Sequence, residues 1–229
     1  MKYLFLFLST FAFAQQTQSV DFKTVNSHIT IDPSNKNVSG DVTYTFEVLK
    51  PIDTIKIDAQ NMTFSGVELK GKKIPFITNG KELLLIYPFQ KGKNSIQFSY
   101  EVKPKQTMYF VGSEATNNLQ IWTQGQGKYT SHWFPSFDDV NEKIIFNMEI
   151  VFDSKYQVVS NGVLKSKSEN KDNTHWKYQM QKPMSSYLLM LAIGKYEKSI
   201  LKSKSGIPLE LYLNPRDTNK QEPTYRYSK

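Results

Sequence analysis

The chain has no cysteine among its 229 residues. Disulfide staples and thiolate metal sites are therefore excluded. A chain of about 200 residues does not need them, because it buries most of the surface its unfolded form exposes. Histidine is almost as scarce. His28, His132 and His175 are far apart, and none opens an H-E-x-x-H helix. A catalytic zinc site takes three protein ligands, which three scattered histidines would supply only by coincidence. His28 in "NSHITID" and His175 in "NTHWKYQ" read as exposed strand residues. G-x-S-x-G is absent, and with it the strained nucleophile elbow. "GQGKYT" fails as a phosphate loop, since Trp122 stands where the first glycine is required. Ser131, His132 and Asp138 are close in sequence, but a triad is defined by geometry, and nothing beyond proximity supports one. Arginine is nearly missing too: only Arg216 and Arg226 occur. The formal charge of +8 rests on lysines spread through turns such as "KGKK" and "QKGKN". Spread lysine protects sheet edges and keeps a β protein soluble. A nucleic-acid site would gather its cations on one face, so none is expected.

What is present begins with "MKYLFLFLSTFAFAQQ". One lysine, an apolar run and Ala12-Phe13-Ala14 have the layout of a secretory signal peptide cleaved after residue 14. The run is too short for a permanent membrane span, which takes about 20 residues. An exported protein without a membrane span is expected: periplasmic, cell-surface or secreted.

Period-two alternation dominates the rest. Val42, Tyr44, Phe46 and Val48 alternate with polar residues, as do Ile96, Phe98, Tyr100 and Val102, and again Phe146, Met148, Ile150 and Phe152. Each set has one wet and one dry face, the pattern of antiparallel sheets on one core. Asn79-Gly80 predicts a two-residue hairpin. Asn161-Gly162, Gly71, "ENKDN" and Ser205-Gly206 mark further turns. "SYLLMLAIG", residues 186–194, is short and wholly apolar and reads as a strand buried on both faces. Strands recur about every 10–12 residues with no helical stretch between them. The expected fold is all-β, an antiparallel β-sandwich over residues 15–215. One set of strands runs to about Val111 and a second follows Ile121. A polar tail, 216–229, follows without a closing element.

One stretch breaks the alternation: "IWTQGQGKYTSHWFPSFDD", Ile121 to Asp139. The order "TQGQ", "FPSFDD", Lys143 and Phe146, "VVSNG" and "SSYLLMLAIGKY" resembles the N-terminal domain of the aminopeptidase N family of zinc metallopeptidases, including its leukotriene-hydrolase branch. Met184, Ser186, Tyr187, Leu188, Gly194 and Tyr196 fit the last element, and the resemblance covers about residues 20–215. It implies a saddle-like β-sandwich whose T-Q-x-E-type loop reaches the edge of a catalytic cleft. On that resemblance Gln124 lines the pocket for the first substrate side chain, and Gln126 helps grip the free α-amino group of a peptide. Gln126 stands where aminopeptidases carry Glu, which weakens amine recognition, since a carboxylate bond is charge-assisted and an amide bond is not. The resemblance also implies that Pro135 fixes a turn, that Phe134 and Phe137 pack beneath it, and that Asp138 bonds backbone N–H groups. Val140 and Ser131 depart from the family's usual Pro and Arg.

In that family the zinc helix and the peptide-binding strand belong to the next domain. The resemblance therefore implies no metal or cofactor in this chain. Zinc is expected in a catalytic metallopeptidase domain that acts as partner, and the chain alone is expected to hydrolyse nothing. Two alternatives stand beside this reading. One is a stand-alone secreted β-sandwich binding glycan, peptide or protein through an aromatic platform of Trp122, Trp133 and Tyr129. The other is a scaffold-like relative that partners another protein.

Overall fold

A computed structural model describes residues 16–228; the signal-peptide assignment for 1–14 lies outside the described residues. The chain is 56% strand and 9% helix, which makes it all-β. Its first half runs β1 (Val20–Asp32), β2 (Asn37–Val48), β3 (Ile52–Asp58), β4 (Thr63–Leu69), β5 (Lys72–Lys73), β6 (Phe76–Thr78), β7 (Glu82–Phe89), β8 (Gly92–Val102) and β9 (Met108–Val111). The second half runs β10 (Gln120–Thr123), β11 (Lys143–Asp153), β12 (Gln157–Ser160), β13 (Val163–Asn170), β14 (Asn173–Gln179), β15 (Met184–Ser185), β16 (Leu191–Gly194), β17 (Glu197–Lys202) and β18 (Pro208–Leu213). Among the described residues no helix is long and apolar enough to cross a membrane.

The large sheet has the order β13-β14-β11-β1-β2-β8-β4-β5, with β15 pairing onto β11. A four-stranded sheet, β12-β16-β10-β9, and a three-stranded one, β3-β7-β6, share its hydrophobic core. The alternating residues explain the arrangement. Val42, Tyr44, Phe46 and Val48 of β2 are buried, as are Ile144, Phe146, Met148, Ile150 and Phe152 of β11, while the residues between them face outward. Phe89 of β7 meets Phe46 of β2 edge to face, ring centres 6.1 Å apart. The buried Tyr178 hydroxyl of β14 donates to the Val158 carbonyl of β12 at 2.6 Å. These contacts tie both small sheets to the large one.

Several details differ from the sequence reading. β1 and β11 pair in parallel, Thr24 opposite Ile145 through Thr30 opposite Val151. Alternation is the same in parallel and antiparallel ladders, so the pattern carries no information on direction. That pair joins the two halves of the chain in one sheet, so the halves interleave. The Asn79-Gly80 hairpin forms with its centre one residue later. Asn79 closes the turn, its N–H on the Glu82 carbonyl at 3.3 Å, and Gly80 at φ 81° takes the first central position. Residues 186–194 are not one buried strand. Ser186–Leu188 form a 3₁₀ turn before β16, and Leu188 is 48% exposed. The polar tail carries local structure. The Asn214 side chain caps a 3₁₀ segment, Pro215–Lys220, which leads into one helical turn, Gln221–Tyr225.

Candidate functional site

The segment between β10 and β11 is a plug with an exposed rim. Trp133 and Phe134 are fully buried and Phe137 nearly so. The Phe137 ring lies 4.2 Å from that of Phe22 and packs edge-on to Tyr44. Two buried tyrosines of the large sheet hold its backbone. Tyr44 donates to the Pro135 carbonyl at 2.6 Å, and Tyr100 donates to the Trp133 carbonyl at 3.2 Å. Buried carbonyls need such partners, and these two find them in side chains, while Ser136 alone pairs with strand backbone, at Asp58 of β3.

Three carboxyl groups, Asp58 and Asp138 half-buried and Glu142 buried, brace the far side. Asp58 exchanges backbone hydrogen bonds with Ser136 at 2.9 and 3.0 Å, and its side chain accepts the Asp138 N–H at 2.7 Å. Asp138 in turn accepts from the Ser131 hydroxyl at 2.7 Å and from backbone N–H of the same residue. Burial pushes the Asp58 carboxyl up to about 6 and raises Asp138. Glu142 accepts the Phe22 N–H at 3.2 Å, and burial pushes it up to about 7. Ser131 is buried with its hydroxyl given to Asp138 and not to His132, so these three residues make no nucleophilic relay.

The rim begins where β10 ends. Gln124 N–H bonds the Thr107 carbonyl at 2.7 Å, and the Thr107 hydroxyl bonds the Tyr129 carbonyl at 2.8 Å. Gly125 is buried. A Cβ there would sit 2.6 Å from Thr130 Oγ1 and 2.7 Å from the Tyr187 carbonyl oxygen, so only glycine fits. Gly127 and Lys128 take left-handed backbone, φ 92° and 73°, and turn the chain back toward the plug.

Gln124 and Gln126, the two candidate binding residues, flank this pinned glycine and are both exposed. Neither amide side chain makes a hydrogen bond among the described residues. They are therefore not consumed in satisfying the loop backbone. Gln126 lines an open cleft of about 670 Å³ with Lys128, Val140, Asn141, Lys143 and Tyr187.

Apolar side chains stand beside them. Trp122 is 37% exposed and lies opposite Tyr109 of β9, ring centres 4.5 Å apart and 41% of Tyr109 exposed. Tyr129, Leu188 and Met190 are also exposed. The platform of Trp122, Trp133 and Tyr129 does not form, because Trp133 is consumed by the core. Tyr109 is the ring that pairs with Trp122, and sequence reasoning missed it. The run "MYFV" has no polar position in it, so nothing in the sequence marked Tyr109 as outward-facing.

His28 and His175 do not stand apart on the outer sheet face. Both ring Nδ1 atoms approach Glu149 Oε1, at 3.4 and 3.1 Å, and Lys177 holds the other oxygen at 3.1 Å. Among the described residues no group of three or more His, Asp or Glu is arranged to hold a metal ion.

Residues 23–188 match the family model described as the peptidase M1 N-terminal domain. The chain is 24% identical over 190 residues to aminopeptidase N of Lactobacillus helveticus, covering 80% of this chain and 22% of that protein. It is 24% identical over 167 residues to probable aminopeptidase 1 of Sulfurisphaera tokodaii, covering 70% and 21%. It thus spans about a fifth of the length of these curated relatives. An M1 zinc metallopeptidase structure from Deinococcus radiodurans superposes with a TM-score of 0.72 at 15% identity, over 84% of this chain and 46% of that one, a likeness of fold.

Proposed function

Because the chain belongs to the peptidase M1 N-terminal domain family, we propose that it is the non-catalytic, substrate-positioning β domain of an exported zinc aminopeptidase. In this reading residues 15–215 pack on a catalytic metallopeptidase domain that carries the zinc, and the tail from 216 leads toward it. Gln124 and Gln126 face the cleft so formed.

The observation that supports this most is the state of the two glutamines. They are exposed, make no side-chain hydrogen bond among the described residues, and flank a buried glycine with no room for a side chain. A peptide ammonium offers three N–H donors and no acceptor. An amide oxygen accepts one of them without charge assistance, so Gln126 grips the amine more weakly than a carboxylate would. Gln124 lines the pocket for the first side chain. The chain itself contributes position and hydrogen-bond acceptors, and no proton transfer or metal ligation. The exposed Tyr109–Trp122 pair and Leu188 supply apolar area of the kind that marks a docking face.

The test is an assay of the chain joined to its metallopeptidase domain on alanine and leucine anilides. Hydrolysis abolished by a chelator supports the proposal; chelator-insensitive or absent hydrolysis contradicts it. Export is checked separately, by the N-terminal sequence of the mature protein, which should start after residue 14. A second reading, a stand-alone binding module, draws on the Tyr109–Trp122 pair, since stacked exposed rings suit a sugar or peptide face. Glycan-array binding by the chain alone, lost on Trp122→Ala, would favour it.

A further inference from the structure

The open cleft of about 670 Å³ beside Gln126 is lined by two lysines, Lys128 and Lys143, and among the described residues by no carboxylate. Both lysines are exposed, and neither takes part in an ion pair or a side-chain hydrogen bond among the described residues. The acidic residues near them are engaged elsewhere. Burial raises the Asp138 carboxyl and Lys128 is close enough to oppose that rise, but Asp138 does not line the cleft and accepts from the Ser131 hydroxyl. Asp139 Oδ1 accepts from the backbone and side-chain N–H of Asn141, at 2.9 and 3.1 Å.

The walls of the cleft are held in place. Lys143 opens β11 and pairs with Ser185 of β15 across the ladder. The Ser185 hydroxyl donates to the Val140 carbonyl at 2.7 Å. Val140 thereby forms an apolar wall, and 42% of it is exposed. Tyr187 also lines the cleft, and its hydroxyl makes no hydrogen bond among the described residues. Two ammonium groups and one hydroxyl are thus free to donate beside an apolar surface. An ionised carboxylate accepts about four such bonds, and those from charged donors are the stronger.

This arrangement bears on the amine site. Two lysines repel the α-ammonium of any peptide brought to Gln126 unless the peptide also carries negative charge nearby. An acceptor for an ammonium and donors for a carboxylate in one cleft call for a ligand with both charges a few bonds apart. An amino-terminal glutamate or aspartate has them, and its methylene stem suits Val140. The distances allow it. Gln124 and Gln126 are two residues apart, about 7 Å at most, a gap that the four-carbon stem of a lysine can span. A first side chain bordered by Gln124 is therefore within reach of the lysines that share a cleft with Gln126.

We propose that Lys128 and Lys143, with the Tyr187 hydroxyl, select peptides whose amino-terminal residue is acidic. The proposal rests on the reading of Gln126 as the residue that holds the peptide ammonium.

The experiment measures kcat/KM of the enzyme that includes the metallopeptidase domain on glutamyl and glutaminyl anilides, which share a shape and differ in charge. Alanine anilide is the reference, and the readout is the glutamyl-to-glutaminyl ratio. The wild type gives a ratio of about 10, the worth of bonds to a charged group on an open surface, and the ratio falls with salt. Lys128→Gln/Lys143→Gln brings it to about 1, and Tyr187→Phe lowers it about threefold. Lys128→Glu/Lys143→Glu reverses the preference, so that lysyl anilide overtakes norleucyl anilide, a gain that a merely structural role would not produce. Chelator-sensitive hydrolysis of alanine anilide with a wild-type ratio near 1 overturns this proposal and leaves the earlier reading standing. A ratio that survives Lys128→Gln/Lys143→Gln overturns it as well. Absence of chelator-sensitive hydrolysis on every anilide removes the earlier reading and this proposal together.

Discussion

The hydroxyl of Tyr44 donates a 2.6 Å hydrogen bond to the carbonyl of Pro135, 91 residues further along the chain. One end of that bond lies in the most regular part of the molecule, the other in the least. It is how a flat, alternating sheet dictates the path of a segment that has no alternation of its own. Tyr44→Phe leaves the carbonyl buried and unpaired, which costs about 1–3 kcal/mol. The melting temperature should fall by about 2–4 °C per kcal/mol for a chain of this size. Thermal denaturation followed by circular dichroism checks it.

Gly125 makes the second prediction. An added methyl group meets Thr130 Oγ1 and the Tyr187 carbonyl at 2.6 and 2.7 Å. The hydroxyl can turn away, but the carbonyl belongs to backbone and cannot. Gly125→Ala should cost about 1–3 kcal/mol, as overpacking does, and Thr130→Ala in the same chain should restore only part of it. Denaturant midpoints of the single and double variants give the comparison.

Glu142 links stability to pH. Burial, with Asp21 and Asp139 nearby, holds its carboxyl at about 7 against an ordinary 4.5. The folded chain therefore keeps a proton that the unfolded chain has already released. Stability from this group is complete below pH 4.5, declines as pH rises toward 7, and is gone above that. Glu142→Gln keeps an oxygen for the Phe22 N–H and removes the titration. The difference in melting temperature between variant and wild type should grow in the variant's favour across that window. A constant difference would contradict the assignment.

Trp122 tests the docking face. Its ring is 37% exposed and packs on Tyr109. Trp122→Ser should lower the melting temperature of the chain by about 2–6 °C, through loss of the ring pair with Tyr109. It should weaken association with the catalytic domain by about 2 kcal/mol or more, as loss of an interface aromatic does. Calorimetric titration of the two separately produced domains measures it.

Much of this was legible in the residues. Alternation located the dry faces of β2, β8 and β11, and the motif order located the loop that carries Gln124 and Gln126. Other features had no local signature. The parallel β1–β11 pair looks the same as an antiparallel one when only side-chain alternation is read. Trp133 and Trp122 are chemically alike, and only the fold separates them, one ring fully buried and the other partly exposed. The apolar run at 186–194 suggested two-sided burial, yet Leu188 and Met190 face outward beside the loop. The cationic cleft needed the fold to bring Lys128 and Lys143 together, since neither stands in a charged block.

The central claim is that Gln126 accepts a hydrogen bond from the α-ammonium of a peptide. It is tested most directly by steady-state kinetics of Gln126→Ala and Gln126→Glu in the enzyme that includes the metallopeptidase domain. The substrates are an alanine anilide and its N-acetylated form. The account predicts a KM for the free amine raised about 10- to 100-fold by Gln126→Ala, the worth of one bond to a charged group, and lowered by Gln126→Glu. The acetylated substrate should respond to neither. An unchanged KM for the free amine in both variants would contradict it.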